Sequence, residues 1–178
     1  MFSSKAQEVE EVNVDKELLE LYNAQVTNEL KASQLYLSAS IWAAQRELVG
    51  MAAYMRDESE EERGHAMQFI DFANKRNFSL ELEELPTPPN SWETAQELWE
   101  ALLQAEKKNT QALETLADAA AANREHALSA LLNPFHMEQI DSEDSLRTIL
   151  AKVRDQKQTP GLLRQLDSEL DPSKVPTA

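Results

Sequence analysis

Four stretches of this chain carry a helical apolar period with almost nothing inside them to break a helix. They run over roughly 15–45, 49–77, 91–120 and 123–156. Only three glycines occur in 178 residues, and of the seven prolines only Pro134 falls well inside one of these stretches. Glycine and proline are the strongest local punctuation a sequence has, so their scarcity points to long helices and an all-α fold. A chain of this length is one domain by the size prior and large enough to bury a substantial core.

The connections set the topology. Segments one and two are joined by a few residues near Gly50, and three and four near Asn123, so each pair is expected to form an antiparallel hairpin. Between two and three lies Phe78 to Asn90, with Pro86, Pro88 and Pro89. A helix of about 28 residues is about 42 Å long, and thirteen extended residues reach about 43 Å. The linker can therefore run the length of the helices, which predicts a four-helix bundle with one long crossover. Asn90-Ser91 and Asn123 are the expected N-caps of segments three and four, and Pro134 is expected to kink the fourth or end a turn there. Residues 1–14 read as a flexible acidic arm and 15–170 as the bundle domain. That domain includes a short fifth helix at about 160–170 that opens with Thr159-Pro160-Gly161, and 171–178 read as a tail.

Polar residues interrupt the apolar seams, and they carry the chemistry. The first seam reads Leu19, Tyr22, Val26, Leu30, Leu37, Ile41, with Glu29 in the stripe and Tyr36 seven residues on. The second reads Met51, Met55, Glu58, Glu62, His65, Phe69, Phe72. The third is Ala95, Trp99, Leu102, Glu106, Leu113, Leu116, and the fourth Leu128, Leu132, Phe135, Gln139, Leu146, Ile149, Val153. All four helices thus place a ligand-type residue near mid-bundle. Buried carboxylates that face one another repel and take up protons, and a bound cation removes both penalties.

The donor types narrow the metal. Carboxylates with one imidazole and no thiolate suit iron or manganese, with zinc also accommodated; the chain has no cysteine, which excludes thiolate sites and disulfides. Glu62-Arg63-Gly64-His65 is a Glu-x-x-His pair on one helical face, whereas the matching place on the fourth helix is Gln139-x-x-Ser142. Di-iron bundles usually carry two such pairs, so the expected site is unequal. Glu29, Glu62 and His65 hold a first iron. A second shares Glu62, gains Glu106 and has Gln139 nearby. A net charge of −15 repels phosphate backbones and argues against nucleic-acid binding. The opening Met1-Phe2-Ser3-Ser4-Lys5 leads into acidic residues without an apolar run, and no stretch nears the roughly 20 apolar residues of a membrane span, so a cytoplasmic chain without membrane partners is expected.

In the spacing of Glu29, Tyr36, Glu62, His65, Glu106 and Gln139, the chain resembles the non-haem ferritins over about residues 15–170. Ser59-Glu60-Glu61-Glu62-Arg63-Gly64-His65, Asn133-Pro134-Phe135-His136 and Thr159-Pro160-Gly161-Leu162-Leu163-Arg164 look similar to ferritins of cyanobacteria and marine algae. The resemblance implies a ferritin-like fold, a cage of twenty-four copies, and ferroxidase chemistry in which Fe²⁺ is oxidised by O₂ or peroxide and stored as a ferric mineral. It implies that Tyr36 donates an electron or hydrogen-bonds a ligand, and an algal origin would allow a plastid address. Glu58, Glu61, Glu138 and Asp141 are candidates for a third iron site, with Ser142 where related sequences often carry a carboxylate. Haem is not expected, since core packing accounts for Met51 and Met55; His126 and His136 lack ligand spacing and read as surface residues. The alternative function is a di-iron oxidase or rubrerythrin-like peroxidase that stores no iron. That class should show the second Glu-x-x-His pair, which is absent here.

Overall fold

A computed structural model describes residues 14–155 and 161–171. It forms five helices: α1 (Lys16–Ala44), α2 (Val49–Arg76), α3 (Ala95–Ala122), α4 (His126–Asp155) and α5 (Leu162–Glu169). Among the described residues there is no strand. The expected arm lies outside the described residues except for Val14, which packs on the core; Thr159, Pro160 and the tail beyond Asp171 also lie outside.

The crossover is tied along α1. Asn23 Nδ2 donates to the Ser79 carbonyl, Ser38 Oγ to Pro89 and Trp42 Nε1 to Trp92. The linker therefore climbs beside α1 from the α2 end to the start of α3. At its lower end Asn77 closes α2 in the left-handed region (φ 54°), where asparagine is among the few side chains at ease. Tyr22 donates to the Phe69 carbonyl at 2.6 Å and meets the rings of Phe69, Phe72 and Phe78, fastening α1, α2 and the first linker residue together.

Several local expectations shift. Helix α3 starts at Ala95 with Thr94 as N-cap, its hydroxyl accepting from Glu97 N; Asn90-Ser91 stays in the linker, and Trp92 is buried beside Trp42. Asn123 closes α3 and does not open α4, since its side chain donates back to the Ala119 carbonyl. Helix α4 continues through Pro134: both Pro134 and Ala130, whose carbonyl loses its usual donor, are exposed, so water can serve that group. On α1, Leu37 and Ile41 lie outside the buried stripe at 46% and 54% exposure. At about 100° per residue, the face that buries Glu29 and Tyr36 leaves Leu37 one step round.

The apolar core comes in two parts. One, towards the α1–α2 turn, gathers Tyr36, Trp42, Met51, Met55, Trp99, Leu102, Leu146 and Leu166. The other gathers Leu18, Tyr22, Phe69, Leu113, Leu132 and Phe135. The polar residues of the candidate site lie between them in sequence on every helix. Helix α5 closes the first end. Gly50 sits where any Cβ would run into the Asp167 backbone, and the Asp167 side chain accepts from Met51 N at 2.9 Å. Leu48, the N-cap of α2, offers no side-chain acceptor, so α5 supplies the cap from another part of the chain.

We expect Asp167→Ala to cost about 1 kcal/mol and to lower the thermal midpoint by roughly 2–4 °C. Scanning calorimetry checks this; an unchanged midpoint would mean that the cap contributes nothing.

Candidate metal centre

Helical spacing places the site. Glu29 on α1 faces Glu62 and His65 on α2, which are three residues apart and so share a face. A ligand atom from each of the three lies within 4.8 Å of the others, and all three side chains are buried. His65 Nδ1 is 3.4 Å from Glu62 Oε2 and 3.9 Å from Glu29 Oε2. Its Nε2 points the other way, 2.9 Å from Glu138 Oε1. A second, more exposed group therefore forms from Glu61, His65 and Glu138.

Glu106 on α3 stands apart from the first group, though its charge acts on Glu62. Both its oxygens are held: Tyr36 Oη donates to Oε1 at 2.7 Å, and Gln139 Nε2 donates to Oε2 at 3.1 Å. Gln139 also donates to the Glu106 carbonyl and to Thr110 Oγ1, and Thr110 in turn donates to Glu143. Glu58 is half-buried, and a hydrogen bond to Tyr54 lowers its pKa against the larger effect of burial. Asp141 is exposed and joins neither group; His126 is exposed and His136 half-buried.

The electrostatics are those of a site built for a cation. Among the described residues, no lysine or arginine pairs with Glu29, Glu58, Glu62 or Glu106; the nearby Arg63 and Arg147 pair with Glu60, Glu143 and Asp144. Burial pushes the Glu29 carboxyl well up, and the neighbouring Glu62 adds to it. Glu62 is raised by burial, with Glu106 and Glu58 contributing. Burial lifts Glu58 to about 7. Burial and the Glu106 charge raise the Tyr36 phenol, which is therefore a donor and not a phenolate. A divalent cation compensates this charge while carboxylate oxygens replace its water.

The sequence reading missed Gln25 and Asn109. Gln25 Nε2 donates to Glu29 Oε1 and, at 2.7 Å, to Asn109 Oδ1; Asn109 Nδ2 donates to Glu29 Oε2 at 3.3 Å. Their signal was legible: Gln25 lies four residues before Glu29 and Asn109 three after Glu106, each one turn from a ligand on the same face.

The comparisons agree with this architecture. Residues 19–155 match the Ferritin family, described as a ferritin-like domain. Curated relatives include the bacterial non-heme ferritin of Bacteroides fragilis, 29% identical over 141 residues, covering 79% of this chain and 89% of that protein. That of Campylobacter jejuni is 27% identical over 141 residues, covering 79% and 84%. The crystal structure of apo-ferritin from Pseudo-nitzschia multiseries is 50% identical and superposes with a TM-score of 0.84 over 87% of this chain and 99% of that one. An iron-soaked variant of the protein called PmFTN gives 51% and 0.84, over 86% and 98%. A helical bundle with a carboxylate–histidine group at mid-height defines a class of metal-handling proteins. Within that class, this chain belongs to the ferritin family.

Metal binding here must displace protons from the raised carboxyls. We expect Zn²⁺ affinity to fall as pH drops, by roughly tenfold per pH unit for each proton displaced, because the ligand candidates Glu29 and Glu62 hold their protons well above the ordinary carboxyl range. The raised Glu58 pKa contributes stability to the metal-free fold that is full below the ordinary value of 4.5 and lost as pH climbs towards about 7. Zn²⁺ should therefore raise the thermal midpoint more at neutral than at acidic pH. Calorimetric titration and thermal melts test both, and a pH-independent affinity would contradict them.

Proposed function

We propose that this chain is an iron-storage ferroxidase whose oxidation site lies inside each subunit. One observation carries the reading: a buried Glu29–Glu62–His65 group, with Glu106 across from it, that no lysine or arginine among the described residues neutralises. On this reading Glu29, Glu62 and His65 hold a first Fe²⁺. Glu62 and Glu106 hold a second, with Gln139 and Tyr36 holding Glu106 in place. Each Fe²⁺ gives up one electron; O₂ takes a pair of electrons with two protons to become hydrogen peroxide, or hydrogen peroxide takes them to become water. Hard anionic oxygens favour the product because they stabilise the higher charge of Fe³⁺. The poorer donor set of the second position lets product leave, which suits iron as a substrate passing through on its way to a mineral.

Glu61 and Glu138 share His65 on the exposed side and offer a third position for iron in transit, with the Glu58 charge beside it; Asp141 stands outside that group. Assembly into a closed cage of about twenty-four copies and a cytoplasmic address complete the proposal. No helix among the described residues is long and apolar enough to cross a membrane. A non-storing di-iron oxidase is disfavoured by the fourth helix, where Gln139 and Ser142 stand in place of a second Glu and His.

We expect Glu62→Ala and His65→Ala each to abolish the fast phase of aerobic Fe²⁺ oxidation, followed by stopped-flow absorbance. Size-exclusion mass with iron analysis should show a cage retaining far more iron than a di-iron site in each chain can hold. An unchanged fast phase in both variants would move the chemistry elsewhere, and retention of a single pair per chain would favour the oxidase.

A further inference from the structure

Glu29 is the most enclosed ligand candidate, at 0% exposure, and neither of its oxygens is left to choose its own position. Gln25, one turn earlier on α1, donates to Oε1; Asn109, from α3, donates to Oε2. The two carboxamides are bonded to each other at 2.7 Å, so with Glu29 they close a ring of three side chains across the α1–α3 seam. All three are buried, Gln25 at 1% and Asn109 at 7% exposure.

The Gln25 amide is not there for cheap packing. Its Oε1 is buried and has no hydrogen-bond partner among the described residues. An orphaned buried acceptor is destabilising, and a methionine of similar shape would avoid that cost. The amide's use is at its other end, where one NH₂ group serves Glu29 and Asn109 together. The position of Asn109 adds a second consequence. It lies one turn after Glu106 on the same helix, so the rigid rise of α3 links the group that holds Glu29 to the carboxylate on the far side of the site.

We propose that Gln25 and Asn109 are positioning residues: a carboxamide clamp that fixes Glu29 as a metal ligand and sets its spacing from Glu106. The clamp makes no contact with the metal itself. It removes the rotamer freedom Glu29 would otherwise lose on binding and holds both its oxygens from the α1–α3 side. Partners behind a ligand typically change metal affinity by about 10–100-fold. The inference rests on the reading of Glu29 as a ligand, and the experiment separates the two.

Co²⁺ alone is the probe, titrated into the assembled metal-free protein and followed by its visible d–d bands. Four variants are compared: Gln25→Met and Asn109→Leu, which keep shape and remove the donors; Glu29→Ala; and Thr27→Val as control. Thr27 is buried on α1 and its hydroxyl bonds to the Asn23 carbonyl, away from Glu29. The clamp predicts about 10–100-fold weaker Co²⁺ binding in the first two variants, with altered band intensity, and wild-type behaviour in Thr27→Val. If either donor variant fails to assemble, the other carries the test alone. Wild-type affinity and bands in the donor variants, with binding lost in Glu29→Ala, would overturn the clamp and leave the site standing. Unchanged binding in Glu29→Ala would overturn the site reading and the clamp with it. Equal loss in Thr27→Val would show that any buried polar change loosens α1, which also removes the clamp's claim.

Discussion

Unneutralised charge at the centre of the bundle is the constraint on which the rest of this structure depends. Glu29, Glu58, Glu62 and Glu106 sit between two apolar core clusters with one imidazole and, among the described residues, no lysine or arginine to balance them. In a low-dielectric interior such a group repels itself and takes up protons. That is the state of the metal-free chain, with Glu58 raised to about 7 and Glu29 and Glu62 pushed up as well. The fold holds the cluster together because the helices are fixed at both ends by other means: the Tyr22 ring cluster and crossover at one end, the Trp42–Trp92 contact and α5 at the other. Two apolar clusters support a middle layer that would not hold by itself.

Within that layer the carboxylates are not equivalent. Glu29 and Glu106 each receive two neutral donors, from Gln25 and Asn109 and from Tyr36 and Gln139. Glu62, between them, takes no neutral donor among the described residues: it shares a hydrogen bond with Glu29 and lies 3.4 Å from His65 Nδ1, both candidate ligands themselves. The outer carboxylates are tethered by neutral donors and the middle one is free of them. A carboxylate held by neutral donors keeps its place whether or not metal is present, whereas a free one can follow a change in ion charge and radius. On the ferroxidase reading this suits a site whose ions change charge and then leave, because the movement is confined to one side chain.

The helical architecture and the acidic centre were both legible in the sequence, for one reason: ligand-type residues were conspicuous against an apolar period. Glu62, His65, Glu106 and Gln139 fell on the predicted faces, and the whole α4 seam from Leu128 to Val153 is buried as expected. The error on α1 had the opposite origin. Leu37 and Ile41 are apolar and were drawn into the seam, but a helix with Glu29, Gln25 and Tyr36 on its buried face gives the hydrophobic signal little to work with. Polar residues concealed the true stripe there. The caps differ for a related reason: Asn90, Ser91 and Thr94 are all competent capping residues and the path of the crossover selects among them, while Asn123 spends its side chain on the Ala119 carbonyl of α3. For Gln25 and Asn109 the sequence shows their place one turn from a candidate ligand, but their bond to each other needs the packing of α1 on α3.

The link from α5 to α2 belongs to the same logic. Helix α2 carries Glu62 and His65, so any slide or rotation of α2 would move two candidate ligands at once. Its first turn has no side-chain acceptor of its own, and Asp167 of α5 supplies one where Gly50 lets the backbones meet. A carboxylate at a helix N-terminus also complements the helix dipole. The axial position of α2 is therefore set by a contact more than three turns from Glu62, on the far side of an apolar cluster. A short C-terminal helix with one buried leucine contributes little core of its own. Its effect is to fix the helix that holds the histidine, so the geometry of the metal layer depends on an element that never touches it.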